Sequence, residues 1–283
     1  MQIPFKPDLS GKVAVVTGGS GVLCSDFCRA IALCGAKVAI LNRNVEKGQA
    51  LADEINAAGG TAAAFAADVT DKDSLAAAHD AVTALFGPCD ILINGAGGNN
   101  PRATTDDEFF SPDVLADPGK KSFFDLDPAG FSFVFDVNMV GAFLTTQCFA
   151  RDMLDKGHGS IINVSSMNAY TPLTKIPAYS AAKAAVSNFT QWLSVYLAGC
   201  GIRVNAIAPG FFSTEQNRTL LWNSDGTPTA RSEKILRKTP MGRFGQPQEL
   251  LGTLLWLLDD ASSGFVTGII VPVDGGFSAY SGV

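Results

Sequence analysis

A tyrosine and a lysine stand one helical turn apart in the stretch Tyr179-Ser-Ala-Ala-Lys183. Residues four apart lie on the same face of a helix, so the phenol and the ammonium are expected to be neighbours. A free phenol has a pKa of about 10, and a nearby cation favours its ionised form. Such a pair could donate and accept a proton near neutral pH. Taken alone, this spacing is common in helices and does not identify a site.

Two further polar positions precede this pair. Ser165 and Ser166 close the apolar run SIINVSS, where a hydroxyl could hold a substrate oxygen, and Asn138 interrupts the apolar stretch FDVNMVG. Each of these residues has an ordinary structural explanation when it is taken alone. Their joint occurrence behind a glycine-rich turn is what favours a catalytic site.

The glycine-rich turn follows the first predicted strand, in the sequence VAVVTGGSGVLC from Val13 to Cys24. Glycine lets the backbone approach a phosphate, and a helix N-terminus offers free N–H donors and a partial positive charge. The turn lacks a Lys followed by Ser or Thr, which argues against a nucleoside-triphosphate loop. The pattern therefore predicts the pyrophosphate site of a dinucleotide.

The residues that follow the next two strands bear on which dinucleotide binds. Asn42 and Arg43 end the second strand, and Asp68 and Val69 follow the third, where they could meet an adenine. An acidic residue after the second strand would bind a ribose 2′-OH and repel a 2′-phosphate. A cation stands there instead, which favours NADP(H) over NAD(H). An Asn also binds a ribose hydroxyl, so NAD(H) stays open.

The apolar pattern predicts the elements that position these residues. Short β-branched runs alternate with helix-length stretches, as in a parallel sheet covered by helices on both faces. Right-handed crossovers then give a doubly wound, Rossmann-like α/β fold, and we expect one domain over residues 1–283. The predicted strands are 13–17, 37–41, 61–66, 90–94, 160–164, 203–207 and 269–273. The predicted helices are 24–33, 45–58, 74–86, 131–156, 178–199 and 247–258.

Two long polar segments break this alternation, at residues 97–127 and 211–239, after the fourth and sixth strands. In an open parallel sheet the ligand crevice lies beyond the carboxyl ends of the strands. Long loops are usually either functional or disordered. We expect these two loops to border a substrate pocket.

Composition argues against several other classes of protein. The 283 residues include 47% hydrophobic residues and carry a formal net charge of -6, which is typical of a packed globular protein. The chain lacks the basic balance that nucleic acid selects, so neither nucleic acid nor a membrane is the expected partner. The six cysteines form no CxxC pair and no metal site is predicted. With no signal-peptide pattern at the start, we expect a cytoplasmic protein.

The motifs follow one another along residues 9–277 in a recognisable order: Thr17-Gly18 with its glycine turn, Asn94-Gly-Ala-Gly97, Asn138, Ser166, Tyr179 with Lys183, and Pro209-Gly210. In this order the chain resembles the short-chain dehydrogenase/reductase family. Ser166 precedes Tyr179 by 13 residues, the usual separation in that family, which selects it over Ser165. The resemblance implies a nicotinamide-dependent oxidoreductase.

The resemblance also implies a role for each residue. Tyr179 would be the general acid in reduction and the base in oxidation, and Lys183 would bind the nicotinamide ribose and lower the pKa of the phenol. Ser166 would orient the carbonyl or alcohol, and Asn138 would hold a water in the proton relay. Besides Tyr179 and Lys183, the residues implied to bind the dinucleotide are Gly18, Ser20, Gly21, Val22, Leu23, Asn42, Arg43, Asp68, Val69, Asn94, Ala96, Gly97, Pro209, Gly210, Phe212 and Thr214.

One position departs from the family pattern. The usual turn is TGxxxGxG, whereas this chain has Cys24 where the last glycine is expected. A side chain at that point falls where helix and sheet normally pack closely. We therefore expect the pyrophosphate site in its usual place but with altered local geometry.

Longer stretches are similar to the D-mannonate oxidoreductase (fructuronate reductase) branch of the family, among them NGAGGNNPRATTDDEFF and SSMNAYTPLTKIPAYSAAKAAVSNFTQWL. That branch implies the interconversion of D-mannonate and D-fructuronate with NAD(P). Amides suit a polyol and cations suit a carboxylate, and the candidate substrate residues are Asn99, Asn168, Lys175 and Gln216. Two alternatives stay open: a reductase of another polar ketone or polyol, such as 5-ketogluconate, and an inactive nucleotide-binding regulator.

The final segment of the sequence, FVTGIIVPVDGGFSAYSGV at residues 265–283, is apolar. Exposed apolar surface is costly to leave in water. We expect this segment at a subunit contact of a homo-oligomer, a tetramer as is common in the family.

Overall fold

The computed structural model describes residues 1–214 and 218–282. In these residues the strands form one parallel sheet in the order β3-β2-β1-β4-β5-β6-β7. The strands are β1 Val13–Thr17, β2 Lys37–Asn42, β3 Thr61–Ala66, β4 Ile91–Asn94, β5 Gly159–Val164, β6 Ile202–Pro209 and β7 Ile270–Val273. The order reverses between β1 and β4, and ligands of open α/β sheets bind at such a switch point. The predicted doubly wound fold is confirmed.

Helices cover both faces of the sheet. In chain order they are α1 Cys24–Leu33, α2 Val45–Ala57, α3 Lys72–Phe86, α4 Pro128–Phe135, α5 Gly141–Lys156, α6 Pro177–Leu197, α7 Arg218–Leu221, α8 Ala230–Lys238, α9 Leu251–Leu258 and α10 Asp260–Ser263. Alternate residues of β1 belong to two different cores, with Ala14 and Val16 on one face and Val13 and Val15 on the other. The central strand β1, read from the sequence as fully apolar, is thus buried on both faces, as expected within a parallel sheet.

Local sequence signals account for where several helices begin. The Asp71 side chain accepts hydrogen bonds from the backbone N–H groups of Asp73 and Ser74, so α3 starts at Lys72, two residues before the predicted start. The Asp127 side chain caps α4 in the same way through Ala129 N–H. That helix begins at Pro128, a residue whose fixed φ suits the first helical position.

The long helix predicted over residues 131–156 is interrupted. A π-helical turn, Asp136–Val140, separates α4 from α5, and such turns occur frequently at functional sites. The continuous helical run Pro128–Lys156 is, among the described residues, the one segment long and apolar enough to span a membrane, and half of its most apolar window is buried. The run packs against β4, β5 and α6, which is how a core helix behaves.

The sequence predicts a loop over residues 211–239, and the described part of that segment corrects this prediction. It contains α7 and α8, and the hydroxyl of Thr229 accepts a hydrogen bond from Ser232 N–H at the start of α8. The helix buries Ile235 while most of its other side chains are charged or polar. Because so few apolar residues mark its inner face, the helical period is hard to see in the sequence.

Candidate active site

A cavity of about 580 Å³ opens at the switch point of the sheet. Several residues predicted to bind a dinucleotide line it: Gly18, Asn42, Arg43, Asp68, Val69, Ala96 and Gly97. A crevice at this place, bordered by the ends of β1 to β4, has the position and size of a cofactor site.

One wall of this cavity escaped the sequence reasoning. It is formed by α4 and the π-helical turn, through Phe133, Asp136, Val137 and Val140. Phe133, Val137 and Val140 recur at helical spacing, so a signal was present, but it is the same signal that a core helix gives. Only the path of the chain turns this face towards the crevice.

The glycine turn passes close to the chain that leaves β4. Gly18 has a φ of 61°, and a Cβ added there would lie 3.0 Å from the Cα atom of Ala96. The hydroxyl of Thr17 accepts hydrogen bonds from Gly95 N–H and Ala96 N–H, both at 3.1 Å. In addition, no side chain caps α1, so its N-terminus stays available to an anion. These features fit the pyrophosphate of a dinucleotide.

The end of β2 is tied to the glycine turn. Asn42 Oδ1 accepts a hydrogen bond from Ser20 N–H at 3.0 Å, so this side chain supports the turn. Arg43 is exposed at the cavity wall across from Asp68. Hydrogen bonds from Thr70 and then the charge of Arg43 hold the pKa of Asp68 below its usual value. Arg43 is thus a fixed cation at the position where the sequence predicts a 2′-phosphate.

Tyr179 and Lys183 lie together on α6. The Lys183 ammonium is 5.7 Å from the centroid of the Tyr179 ring and donates a hydrogen bond to the carbonyl oxygen of Val164 at 2.7 Å. Ser166 follows β5, and its hydroxyl accepts a hydrogen bond from Asn168 N–H at 3.2 Å. The three residues expected to do the chemistry therefore converge at the carboxyl end of β5.

The structure adds a second influence on the phenol, which is its burial. The pKa of Tyr179 is raised above 10, because burial disfavours the phenolate more than a hydrogen bond from Ser166 stabilises it. Burial also lowers the pKa of Lys183 to about 8. The sequence shows that the two groups are neighbours, but it does not show how far both are removed from water.

Asn138 is buried in the π-helical turn and its side chain is engaged with the backbone. Its Nδ2 donates to the carbonyl oxygens of Gly98 and Val134, at 2.7 and 2.8 Å, and its Oδ1 accepts from Gly98 N–H at 3.3 Å. A Cβ added at Gly97 would lie 2.5 Å from Asn138 Oδ1 and 3.3 Å from Lys183 Nζ. Asn138 thus holds the chain after β4 close to Lys183.

Other predicted residues stand beside the cavity without lining it. Asn94 is buried beneath it, where Nδ2 donates to Thr146 and to Asn163, at 2.9 and 2.8 Å, so its side chain joins β4 to β5 and α5. The further residues outside the lining set are Ser20, Gly21, Val22, Leu23, Pro209, Gly210, Phe212 and Thr214, together with the four candidate catalytic residues Asn138, Ser166, Tyr179 and Lys183.

The candidate substrate residues are placed unequally. Asn168 is 4% exposed and its Oδ1 has no hydrogen-bond partner among the described residues. Asn99 is exposed, and its amide bonds Thr104 within its own loop. Lys175 is exposed on the segment between Ser166 and Tyr179. Gln216 lies outside the described residues. Within the described chain no group of three metal-binding side chains comes together.

Cys24 fits because the residue opposite it has no side chain. A Cβ added at Gly95 would overlap the Cys24 sulfur and would lie 2.8 Å from the carbonyl oxygen of Thr17. The thiol is buried, and burial raises its pKa to about 12, so it packs as a neutral group. The unusual cysteine and the glycine after β4 are therefore complementary in volume.

We expect Gly95→Ala to destabilise the fold by about 1–3 kcal/mol, since overpacking forces the backbone apart. Combining it with Cys24→Ala removes the overlapping sulfur, so the double variant should recover about 1 kcal/mol relative to the sum of the single changes. Urea denaturation of the wild type, both single variants and the double variant measures this coupling. Strictly additive effects would show that the two positions do not share the space.

Comparison with known proteins agrees with this geometry. The family model for short chain dehydrogenases matches residues 12–223. The uncharacterized oxidoreductase UxuB of Bacillus subtilis is 60% identical over 281 residues, covering 99% of this chain and 100% of the relative.

Two solved structures are similar over nearly their whole length. A candidate D-mannonate oxidoreductase of Haemophilus influenzae, with bound NAD, has a TM-score of 0.94 at 54% identity, covering 98% of each chain. A gluconate 5-dehydrogenase of Burkholderia cenocepacia, in complex with NADP and tartrate, has a TM-score of 0.81 at 33% identity, covering 96% of each chain. Because the family model spans residues 12–223 and a relative is 60% identical over nearly the whole chain, the chain belongs to the short-chain dehydrogenase/reductase family.

Proposed function

We propose that this oxidoreductase interconverts the carbonyl and alcohol forms of a sugar acid, with D-fructuronate and D-mannonate as its best substrates. The observation that carries the proposal is the polar segment between the catalytic serine and tyrosine. It contains the amide of Asn168 and the exposed cation of Lys175. Amides suit the hydroxyl groups of a polyol and a cation suits a carboxylate, groups that an apolar ketone lacks.

The roles that we propose follow from the contacts. The bound nicotinamide would accept or supply the hydride. Tyr179 gives its proton to the substrate oxygen in reduction and takes it back in oxidation, while Ser166 holds the same oxygen by a hydrogen bond. Lys183 has three donor protons, of which one is used by Val164, so two remain for a ribose hydroxyl and for the phenol. Asn138 and its two backbone partners keep this lysine enclosed.

The substrate residues carry separate parts of the proposal. Asn168 would hydrogen-bond a hydroxyl of the substrate, and Lys175 adds a positive charge to the same segment. Asn99 and Gln216 belong to the two long polar segments, residues 97–127 (the first insert) and 211–239 (the second insert). They would complete the polar rim of the substrate pocket. The raised pKa of Tyr179 means that the phenol is neutral in the free enzyme, which is the form needed to donate a proton in reduction.

Steady-state kinetics with D-fructuronate, NADH and NADPH tests the function directly. We expect fructuronate-dependent oxidation of the reduced cofactor, with D-mannonate as product. Turnover of 5-ketogluconate without turnover of fructuronate would instead establish the gluconate-type reaction. A protein that binds the dinucleotide but turns over neither substrate would be a nucleotide-binding regulator, and the proposal would be wrong.

We propose a preference for NADP(H), supported by Arg43 and by the absence of an acid at the end of β2. Replacing Arg43 with Ala should raise the KM for NADPH by about tenfold, since a lost charge-assisted hydrogen bond is worth about 1.4 kcal/mol or more. The KM for NADH should change less than twofold. Equal effects on both cofactors, or a wild-type enzyme that prefers NADH, would contradict the preference.

We also propose that the chain works in the cytoplasm as a homotetramer. Support comes from exposed apolar side chains on α6, where Trp192, Val195 and Tyr196 are 58%, 79% and 70% exposed, and from Phe265 in the apolar segment before β7. Apolar surface of this kind is typical of protein contacts. Light scattering at micromolar concentration should give four times the chain mass, and a monomer would contradict the proposal.

A further inference from the structure

Lys175 has a backbone conformation that its residue type does not favour. Its φ of 73° lies in the left-handed region, and among the described residues it is the only non-glycine residue there. A glycine would adopt this conformation without strain, whereas an L side chain pays a steric cost. Strained residues of this kind cluster at active sites and ligand clamps. A side-chain function would explain why a lysine stands at this point.

A contact with the first insert holds Lys175 in this conformation. The backbone N–H of Thr105 donates to the carbonyl oxygen of Lys175 at 2.9 Å. Lys175 lies four residues before Tyr179, just ahead of the first turn of α6. The same segment follows the 3₁₀ turn Met167–Ala169, which Ser166 caps. Lys175 is therefore anchored to the first insert. Along the chain it lies between Ser166 and Tyr179, which carry the two catalytic hydroxyl groups.

The acids of the neighbouring insert are already paired. Glu108 Oε1 lies 2.8 Å from Lys234 Nζ on α8, which joins the two inserts, and Asp107 Oδ2 lies 2.9 Å from Lys120 Nζ. Asp106 accepts a hydrogen bond from the backbone N–H of Lys121. Within the described chain the Lys175 ammonium has neither an ion pair nor a hydrogen bond.

Further cations stand close to Glu108. The hydrogen bond from Lys234 and then the charges of Lys234, Lys175 and Lys238 lower the pKa of Glu108. Three lysines therefore act on the single carboxylate of Glu108, and only Lys234 forms an ion pair with it among the described residues.

We propose that the Lys175 ammonium binds the carboxylate of a sugar-acid substrate and selects acids over neutral polyols. This inference rests on the proposed function, because it names the residue that binds the carboxylate of the proposed sugar-acid substrate. Glu108 pairs with Lys234, whereas Lys175 has no ion pair among the described residues, so its charge is available to a ligand. The strained backbone presents this cation on the segment that also carries Asn168, so one short stretch of chain recognises both a hydroxyl and a carboxylate.

Three variants separate the charge of Lys175 from its conformation. Lys175→Gln removes the charge, Lys175→Gly removes the charge and also the backbone strain, and Lys175→Arg keeps the charge. Each is assayed with D-fructuronate and with its methyl ester, which carries no charge. Lys120→Gln is the matched control, since it removes a lysine that is already paired with Asp107, on the segment that contacts Lys175.

We expect Lys175→Gln and Lys175→Gly to lower the preference for the acid over the ester by about tenfold, through KM rather than kcat. Lys175→Arg should keep the preference, and added salt should weaken the wild-type preference because it screens an exposed charge. If the Gly or Gln variant keeps the wild-type preference, Lys175 is a conformational residue and the inference is wrong. If the wild-type enzyme reduces the ester but not the acid, the proposed function fails as well.

Discussion

Tyr179→Phe should lower kcat for carbonyl reduction by about 10²–10⁴-fold, the usual contribution of a positioned general acid. The ring stays packed against Ala178 and Ala182, and only the hydroxyl that Ser166 contacts is lost. The fold and the dinucleotide site should therefore be preserved. Single-turnover kinetics with saturating cofactor measures the chemical step without the contribution of product release.

The same helix offers a matched control for this variant. Tyr196 is 70% exposed at the other end of α6, on the surface proposed for the subunit contact, and Tyr196→Phe removes a hydroxyl outside the cavity lining while keeping the ring. Its kcat should stay within twofold of the wild-type value. If Tyr179→Phe behaves like this control while its cofactor affinity is normal, Tyr179 is not the acid, and the enzyme must protonate its product by another route.

Lys183→Met should abolish most activity and at the same time stabilise the folded protein at pH 7. Burial lowers the pKa of Lys183 from 10.5 to about 8, so holding this ammonium in the fold costs about 3 kcal/mol at one pKa unit per 1.36 kcal/mol. The variant also loses the hydrogen bond to Val164, which reduces the expected stabilisation by about 1 kcal/mol. A net gain of about 2 kcal/mol in the free energy of unfolding is expected.

The pH dependence of stability gives the sign of this effect. Below about pH 8 both the folded and the unfolded chain carry the protonated lysine, so the full free-energy cost of burying the ammonium is present. Between about 8 and 10.5 only the unfolded chain keeps its proton, and the stability contributed by this group rises with pH. The advantage of Lys183→Met should therefore shrink over this range in urea denaturation.

A solvent-exposed lysine serves as the control for these measurements. Lys47→Met, on the surface of α2, should change neither activity nor the pH dependence of unfolding. In the wild-type enzyme, kcat/KM for reduction should fall as pH rises through about 8, because the free enzyme then loses the lysine charge. A variant at position 183 that is less stable than the wild type at pH 7 would contradict the proposed cost of burial.

Much of the architecture could be predicted because parallel strands leave a strong pattern. The run from Val13 to Thr17 is apolar throughout and is buried on both faces, so its type and extent are visible in the sequence. Helix α8 was missed for the opposite reason, since it contacts the rest of the chain through few apolar side chains. The π-helical turn at Asn138 was also missed, because one extra residue in a helical turn leaves no periodic signal.

The sequence by itself determined the doubly wound sheet, the place of the crevice and the identity of the residues that meet there. These follow from periodicity and from residue spacing, which are properties of neighbouring positions. Only the tertiary structure decided that Cys24 shares space with Gly95, that Lys183 is buried and that Lys175 is strained and has no ion pair among residues 1–214 and 218–282. Packing volume, loss of water and charge balance depend on residues distant in sequence, so no local pattern contains them.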